Sequence, residues 1–485
     1  MKGAVCVVGA GLAGGLVATM LAKAGHPVTL IERGDVPRPL TLDDEIWELQ
    51  RIRAPFTRGQ GLGGSSNFWH GGLMMLDPTD MEAVADQTRH AHPTISYMEL
   101  REYCTRALEI LRGDDHFSLA DIEATPQDSA GLFPPSSDFR YKALFYPDRP
   151  FSTAPLIRQA RQSHGLRVIG NARVRSLGGR SSRRVAWAEY VDEHTGRANR
   201  VEADRFVLCA GGLGSPKILL QSAGNFPQTE GLPIGRYLVD HPTGFVFKAK
   251  LRRRMDLSAL FGARATNGRR RNGFALPPGR LGEADGRNHI LYLRPALTLK
   301  DPRVYEALKN RLVGHRAGRL HARDLVELAG HADLLFDAVN FRLGLMNSTR
   351  HVAGFVFSEQ WSDDSSRIES RGNGSYAVRW GVSREDESSL VKFLRLFERT
   401  HANLLERLDL YPDTAARLDS AGHHSGGCRM ARDSRFGVVD GNLRVFGMDN
   451  LFVADGSTLG RIGHANTGLT IAALALKCCD AVAAG

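Results

Sequence analysis

The segment AVCVVGAGLAG, residues 4–14, decides the fold class of this chain. Its first five residues are all apolar, which is typical of a parallel strand covered on both faces. A glycine-rich turn follows at once, and apolar residues then recur at helical spacing as far as Gly25. A second apolar run, residues 27–31, ends at Glu32. This succession of strand, glycine turn, helix and strand predicts a βαβ unit that binds a dinucleotide.

The glycine turn has the residue types that such binding needs. Gly9 permits a tight turn, Gly11 lets the backbone approach a diphosphate, and Gly14 lets the helix pack closely on the strand. The first helical residues, Leu12 and Ala13, bring unpaired N–H groups and a partial positive charge towards the phosphates.

Glu32 stands 23 positions after Gly9, where a carboxylate can accept hydrogen bonds from the ribose hydroxyls of adenosine. An acid at this position argues against a 2′-phosphate and therefore against NADP, while NAD and FAD both stay compatible with it. A second glycine-rich loop, RGQGLGGSSNFWHGG, spans residues 58–72. Its backbone amides would reach a further part of a long cofactor, and Trp69 would supply an apolar wall.

The composition is ordinary for a globular protein, and 485 residues exceed what one core usually holds, so we expect two structural units.

The net charge is +10, from 63 Lys and Arg against 53 Asp and Glu. Arginine clusters at 252–254 and 269–271 are neither interleaved with aromatic residues nor set in a known nucleic-acid-binding module. We therefore favour a solvated basic face, expect no nucleic-acid partner, and leave attraction of an anionic substrate open.

The six cysteines show no CxxC or Cys/His spacing, which indicates reduced core thiols and predicts no metal site. A strand that begins by Ala4 leaves no room for a signal peptide, and the sequence has no run of about 18 apolar residues that would predict a membrane span. A cytoplasmic enzyme is the expectation.

The middle of the chain alternates between two kinds of pattern. Residues 205–212 form another buried run that ends in glycines and precedes a helix, so we expect the nucleotide-binding sheet to resume there. The region from Phe245 to about Leu410 mixes strand patterns with a charged helical stretch at 301–338. We interpret this region as the body of a substrate domain.

Two polar turns lie near the C-terminus, GHHSGGCRM at residues 422–430 and GHANT at residues 463–467. They flank an apolar strand, residues 450–454, which runs into Asp455 and Gly456. Two such turns around one buried strand can place imidazole and amide groups together at its mouth.

Together these motifs resemble the glucose-methanol-choline oxidoreductases, a family of flavoproteins that oxidise alcohols with FAD. The stretches that carry the resemblance occur in the family's order at residues 9–32, 61–66, 210–216, 240–242 and 423–477. The resemblance implies an α/β fold in which a Rossmann-like FAD-binding domain is interleaved with an α+β substrate domain built on a large antiparallel sheet. We place the FAD-binding domain at 1–76, 155–235 and 415–485, and the substrate or lid domain at 77–154 and 236–414.

The resemblance also implies which residues bind FAD. Gly9, Gly11, Gly14 and Glu32 would contact the adenosine diphosphate, and residues 61–67 would lie along the diphosphate and the isoalloxazine. Val174 would place its backbone near the adenine, and Asp455 and Gly456 would contact the central region of the cofactor. The full set of expected cofactor-binding residues is Gly9, Gly11, Leu12, Ala13, Gly14, Glu32, Gly61, Gly63, Gly64, Ser65, Ser66, Asn67, Val174, Ala210, Gly211, Asp455, Gly456, Asn466 and Thr467. Some members attach FAD covalently through a histidine in the first glycine loop. Phe68 stands at that position here, and His70 is a poor substitute, so non-covalent FAD is expected.

For catalysis, His423 matches the active-site histidine of the family, and the resemblance implies that it accepts the hydroxyl proton of an alcohol while the carbon hydride passes to the flavin. The second active-site residue aligns best with Asn466, and His464 is the alternative. The chain departs from the family in the first turn, which has Gly427 instead of threonine, and in the second, which has Thr467 instead of proline. The helix that begins near Thr467 would place its positive end at the reduced flavin.

The substrate is expected to be a small-molecule alcohol, a sugar, a polyol or a sugar-like part of a natural product, with oxygen or another electron acceptor as the second partner. Two other functions stay open: a lyase that keeps FAD without turning it over, and a flavoprotein subunit that relays electrons to a partner. Anaerobic bleaching of the flavin by substrate separates alcohol oxidation from the lyase.

Overall fold

The computed structural model describes residues 2–39, 46–47, 58–82, 86, 94–126, 138–257, 260–265, 268–296, 348–371 and 375–484. The predicted helical stretch at 301–338 lies outside the described residues.

The strands are numbered in chain order and have these bounds: β1 Val5–Val8, β2 Val28–Ile31, β3 Arg38–Pro39, β4 Ile46–Trp47, β5 Gly59–Gln60, β6 Arg140–Tyr146, β7 Arg167–Ile169, β8 Ala172–Gly178, β9 Trp187–Asp192, β10 Ala198–Glu202, β11 Arg205–Leu208, β12 Pro242–Asp256, β13 Phe261–Ala265, β14 Gly268–Ala275, β15 Ile290–Ala296, β16 Ser348–Phe357, β17 Arg367–Ser370, β18 Tyr376–Arg379, β19 Leu405–Leu410, β20 Asp419–Ser420 and β21 Leu451–Val453. The α-helices are α1 Leu12–Lys23, α2 Tyr97–Leu111, α3 Leu119–Glu123, α4 Ala154–Ser163, α5 Gly211–Ser222, α6 Arg384–Thr400, α7 Thr414–Arg417 and α8 Gly468–Ala484.

A parallel sheet holds the N-terminal βαβ unit. Its described strands lie in the order β7-β2-β1-β11-β21, and every neighbouring pair is parallel. Numbered by their succession within this sheet, the strands have the order 3-2-1-4-5, which is that of a doubly wound nucleotide-binding fold. The strand order reverses between β1 and β11, and ligands of such folds bind at the carboxyl ends of the strands there.

Close packing of α1 on β1 depends on a glycine. A Cβ atom at Gly14 would lie 1.8 Å from the carbonyl oxygen of Gly9, so a larger residue would force the helix away from the strand. Helix α1 also packs against α8, and α8 against α2, in one buried core with the parallel sheet. All six cysteines lie in the described residues, and each is buried with a free thiol.

A large antiparallel sheet forms the second layer, in the order β13-β14-β15-β16-β12-β19, with β6 paired to β14 and β20 paired to β12. One face packs on α6, where Leu291 and Leu293 share a core with Phe393 and Phe397. Because side chains alternate along a strand, Tyr292 faces the other way and joins the core of the parallel sheet. This sheet and the doubly wound sheet together confirm the predicted fold class.

A capping box fixes the start of helix α6. The Ser383 hydroxyl accepts the backbone N–H of Asp386, and the Asp386 carboxylate accepts the backbone N–H of Ser383. The division of the chain into two discontinuous domains remains a proposal. Within the described ranges of the chain, no helix has the length and apolar character needed to cross a membrane.

Candidate active site

A cleft runs along the carboxyl ends of β1 and β11. Its wall contains most of the predicted site residues: Gly9, Gly11, Leu12, Ala13, Glu32, Gly64, Ser65, Val174, Ala210, Gly211, His423, Asp455, Gly456 and Thr467. The structure thus brings together segments from the first 65 and the last 65 residues at one surface. Seven predicted residues lie outside the cleft wall: Gly14, Gly61, Gly63, Ser66, Asn67, His464 and Asn466.

Two of the residues outside the wall stabilise the glycine loop itself. The Ser66 hydroxyl donates to the carbonyl oxygen of Gly63 at 2.6 Å. The Asn67 amide donates to the carbonyl oxygens of Leu62 and Gly64 at 2.9 and 3.1 Å. These side chains hold the loop in the shape that presents Gly64 and Ser65 to the cleft.

Glu32 connects the two glycine loops. Its carboxylate accepts backbone N–H groups from Ala10 at 2.8 Å, Gly34 at 3.0 Å and Gly61 at 3.0 Å. Burial raises the pKa of Glu32, and these three hydrogen bonds oppose that rise. An ionised carboxylate has about four acceptor positions, so one remains for a ribose hydroxyl.

The middle of the cleft suits a diphosphate. Apart from the adjoining backbone, no atom of the described residues lies within 4 Å of an ideal Cβ position at Gly11 or Gly211, so the backbone is open to a ligand at both. Four cationic side chains also line the cleft and were missed by the sequence reasoning: Arg33, Arg58, Arg173 and Lys217. For two of them the sequence offered a signal, because each stands next to a predicted contact residue: Arg33 follows Glu32, and Arg173 precedes Val174. Open backbone and cationic side chains fit the diphosphate of a dinucleotide.

Asp455 fixes the start of α5 to the end of β21. Its carboxylate accepts the backbone N–H of Gly211 at 2.9 Å, the Ser215 hydroxyl at 2.5 Å and the backbone N–H of Ser457 at 2.9 Å. Burial raises the pKa of Asp455, while these bonds favour its charged form. Asp455, which is predicted to contact the cofactor, therefore also links two of the segments that line the cleft.

The turn that carries His423 is clamped to the chain segment before β12. Val239 and Ser425 exchange backbone hydrogen bonds of 2.8 and 2.9 Å. Gly426 has a φ of +93°, and a Cβ atom there would lie 2.0 Å from the carbonyl oxygen of Tyr237. The ring of Phe357 stacks on His423 with centroids 6.1 Å apart and an interplanar angle of 17°. The imidazole is thereby held in one plane.

His241 determines which nitrogen of His423 carries the proton. The two Nδ1 atoms lie 2.7 Å apart, and Nε2 of His241 lies 2.9 Å from the carbonyl oxygen of Gly463. A carbonyl oxygen only accepts, so Nε2 of His241 carries its proton and Nδ1 is the acceptor of the neutral ring. We therefore assign the donor in the Nδ1–Nδ1 contact to His423, which leaves the lone pair of its Nε2 free.

Both histidines stay neutral near pH 7. Burial lowers the pKa of His423 to about 4. Burial, followed by the charge of a protonated His423, lowers the pKa of His241 well below its ordinary value. Nε2 of His423 makes no hydrogen bond with any residue in the described part of the chain, and His423 lines the cleft. In this tautomer the lone pair on Nε2 of His423 is not used by any residue that the structure describes.

The carboxylate of Asp240 holds the backbone of both His241 and His423. Its buried carboxylate accepts the backbone N–H groups of His241 at 2.6 Å and His423 at 3.0 Å, and the Ser420 hydroxyl at 2.5 Å. Burial raises the pKa of Asp240 to about 6. Nε2 of His424 lies 3.6 Å from the same carboxylate. The Asp240-His241 pair stood in a stretch used for the family resemblance, but no role was predicted for either residue.

The structure separates the two candidates for the second active-site residue. His464 is buried, and its Nδ1 lies 2.9 Å from Oδ1 of Asn288. The amide nitrogen of Asn288 donates to Asp77 and Asp80, each at 3.0 Å, so its oxygen accepts from His464. Burial lowers the pKa of His464 to about 3. His464 therefore belongs to a buried polar cluster and not to the cleft wall.

Asn466 is half-buried and precedes Thr467, which lines the cleft. Its side-chain amide forms no hydrogen bond within the described ranges. The amide nitrogen would lie 3.4 Å from a Cβ atom placed on Gly72. An amide without a protein partner can bind a ligand, so the geometry favours Asn466 over His464.

Gly427, which replaces the threonine usual in the family, has a packing role. A Cβ atom there would lie 2.7 Å from Cγ of Pro216, within α5. The carbonyl oxygen of Gly427 also accepts the backbone N–H of Gly235 at 2.8 Å. The glycine lets the His423 turn pack directly on the Pro216 ring.

The doubly wound sheet and its cleft define a dinucleotide-binding protein, and family comparisons specify the class. Two models described as GMC oxidoreductase match residues 148–243 and 365–475, and a model of an NAD(P)-binding Rossmann-like domain matches residues 7–45. The chain belongs to the GMC oxidoreductase family. The predicted cofactor, FAD, is confirmed.

The curated relatives are distant. The chain is 26% identical over 330 residues to the fructose dehydrogenase large subunit of Gluconobacter japonicus, which covers 66% of this chain and 54% of that protein. It is 24% identical over 319 residues to the 2-methyl-1,2-propanediol dehydrogenase of Mycolicibacterium austroafricanum, with 60% and 50% covered. A 53-residue segment is 53% identical to the cholesterol oxidase of Acinetobacter baumannii, with 11% and 10% covered. The chain thus spans about half the length of the first two relatives.

Solved structures share the fold over the whole chain. Pyridoxine 4-oxidase from Mesorbium loti superposes with a TM-score of 0.58 at 19% identity, covering 98% of each chain. A formate oxidase superposes with a TM-score of 0.59 at 16% identity, covering 100% of this chain and 98% of that one. At these identities the likeness concerns the fold alone.

Proposed function

We propose that this protein oxidises an alcohol carbon, CH–OH, to an aldehyde or ketone, with Nε2 of His423 accepting the hydroxyl proton. Bound FAD supplies the hydride-accepting chemistry. The observation that carries the proposal is the 2.7 Å contact between the Nδ1 atoms of His241 and His423. It leaves a lone pair on the cleft-lining imidazole, which is what a general base requires.

The protein prepares this base in three ways. Its lowered pKa, about 4, keeps the ring neutral at working pH. Stacking on Phe357 fixes the ring plane, and the Asp240 carboxylate holds the backbone of the turn. A base held in one orientation needs little rearrangement when the substrate hydroxyl arrives.

Asn466 is the proposed anchor of the substrate oxygen. Its amide nitrogen can donate to that oxygen because no side chain or backbone group in the described residues occupies it. Helix α8 begins two residues later, at Gly468, with Thr467 and Ile471 lining the cleft. The positive end of this helix would stabilise negative charge that develops nearby.

The names of the relatives support an alcohol as substrate, since fructose, a propanediol, cholesterol and pyridoxine all carry CH–OH groups. A sugar, a polyol or a sugar-like molecule is therefore part of the proposal. The electron acceptor is proposed to be oxygen or another electron acceptor. Comparing turnover in air with turnover on an artificial dye decides between them.

The test is anaerobic mixing of the FAD-loaded protein with a panel of alcohols while the flavin absorbance is followed. Bleaching with aldehyde or ketone formation is expected, and His423→Ala should slow it by about 10²- to 10⁴-fold with FAD retained. His164→Ala, at an exposed histidine, is the control and should reduce normally. Product without bleaching would indicate a lyase, and normal reduction in His423→Ala would show that His423 is not the base.

A further inference from the structure

One face of the large antiparallel sheet packs on the core of the parallel sheet and contacts His423 through Phe357. Tyr292 on β15 and Leu144 on β6 belong to the core of the parallel sheet, opposite the face that packs on α6. Arg271 on β14 pairs directly with Leu144, so the two side chains project to the same side. Arg271 therefore lies on the face that packs towards the parallel sheet.

A continuous series of contacts on this face connects His423 to Arg271. The Phe357 ring lies 6.1 Å from the His423 ring and 6.1 Å from the Tyr292 ring, between centroids. The guanidinium carbon of Arg271 lies 5.8 Å from the Tyr292 ring and 5.7 Å from the Tyr146 ring.

The series continues from Tyr146 to Asn466. A Cβ atom placed on Gly72 would lie 3.3 Å from Cε1 of Tyr146 and 3.4 Å from the amide nitrogen of Asn466. The two proposed catalytic side chains are thus joined by an aromatic wall that contains one arginine. A substrate held between His423 and Asn466 meets this wall.

Arg271 differs from the other cations of the same region. It is half-buried, and its side chain forms no hydrogen bond or ion pair with any residue that the structure describes. Arg269, two positions earlier on the same strand, is exposed and lies 3.5 Å from Asp148. Lys142 on β6 pairs with Asp77 at 2.7 Å. Arg271 alone of these three has aromatic rings and no acid as neighbours.

A partly buried guanidinium without an acid is costly, and ring faces offset that cost only in part. Its five N–H donors lie in the guanidinium plane and match the two oxygens of a carboxylate. We propose that the substrate is an alcohol that also carries an oxyanion, such as a carboxylate, and that Arg271 binds this group. This inference rests on the proposed function, because it names the substrate class of the same site.

Matched pairs of substrates test the inference on the FAD-loaded protein. The probes are an ω-hydroxy acid series from glycolate to 6-hydroxyhexanoate, together with 4-(hydroxymethyl)benzoate, each compared with its own amide. For at least one length we expect the acid to have a KM at least about tenfold below that of its amide, as a charged hydrogen bond provides. Arg271→Gln should remove this difference and leave kcat and the kinetics of the amide unchanged. Arg269→Gln, the matched control, should keep the difference.

A second measurement needs no turnover. Benzoate, which has no alcohol group, should perturb the spectrum of the bound flavin with a Kd at least about tenfold below that of benzamide, and Arg271→Gln should abolish the preference. If alcohols bleach the flavin but acids have no advantage over amides, Arg271 does not select an anion and the proposed function stands. If benzoate binds through Arg271 but no alcohol bleaches the flavin, the proposed oxidation is wrong and anion binding by Arg271 stands. Equal discrimination by wild type and Arg271→Gln overturns the inference.

Discussion

His241 and His423 are 182 positions apart in the chain, yet their Nδ1 atoms lie 2.7 Å from each other. One of these two nitrogens must donate, and the carbonyl oxygen of Gly463, 2.9 Å from Nε2 of His241, determines which. His241 is therefore a positioning residue: it acts on the substrate through the tautomer of His423.

Replacing His241 by two different amides tests this tautomer assignment. The oxygen of an asparagine lies near the place of an imidazole Nδ1 and can accept from His423, whereas the amide of a glutamine lies nearer the place of Nε2. We expect His241→Asn to reduce the flavin within about tenfold of wild type and His241→Gln to be slower by about 10² or more, as when a base is held in the wrong tautomer. Stopped-flow reduction at equal FAD content checks this. Equal rates in the two variants would contradict a role in the tautomer.

The rate of flavin reduction should depend on pH with an apparent pKa near that of His423. Burial lowers this pKa to about 4, and only the neutral ring accepts a proton. The rate should therefore be level above about pH 6 and fall about tenfold per pH unit below about pH 4. Anaerobic reduction across this range measures the profile. A midpoint at the ordinary histidine value of about 6.5 would show that the ring is solvated in the working enzyme.

The parallel sheet was predictable because its signals are local. The strand at 4–8, the glycine turn and the helix ending near Gly25 each occupy a few consecutive residues, and the structure places β1 and α1 there. The resemblance implied a Rossmann-like domain, but no order was predicted for its other strands. The pairing of β1 with β11 joins residues about 200 positions apart, and no short-range pattern specifies such a pair.

The sequence predicted which segments form the site, but it predicted fewer of the contacts between them. Glu32 was expected to bind ribose, yet most of its acceptor capacity goes to backbone groups of Ala10, Gly34 and Gly61. Sequence places Glu32 at a strand end but does not show a loop 29 residues later folding onto it. The same limit applies to Arg271, which has no acidic partner among the described residues because of the tertiary pairing of β14 with β6.

Glu32→Gln should weaken FAD binding more than the loss of one ribose contact explains. A glutamine has only one acceptor oxygen, so its NH₂ group would face a backbone N–H of a glycine loop. Leaving such a buried donor unsatisfied costs about 1–3 kcal/mol, or roughly 5- to 150-fold in FAD affinity. Titration of the apoprotein with FAD measures the Kd. Glu202→Gln, at an exposed position on β10, is the control and should bind FAD as wild type does.

Alanine variants of Asn466 and His464 should separate catalysis from stability. Asn466 makes no hydrogen bond within the described residues, so Asn466→Ala should leave the melting temperature of the FAD-loaded protein nearly unchanged while slowing flavin reduction by about 10-fold or more. His464 donates to buried Asn288, whose oxygen would lose its partner in His464→Ala. That variant should lose about 1–3 kcal/mol of stability and reduce the flavin at close to the normal rate. Thermal unfolding and stopped-flow reduction of both variants give the two readouts. If instead His464→Ala were stable and slow while Asn466→Ala were unstable and fast, the oxygen anchor would be His464, and the cleft would have to rearrange when substrate binds.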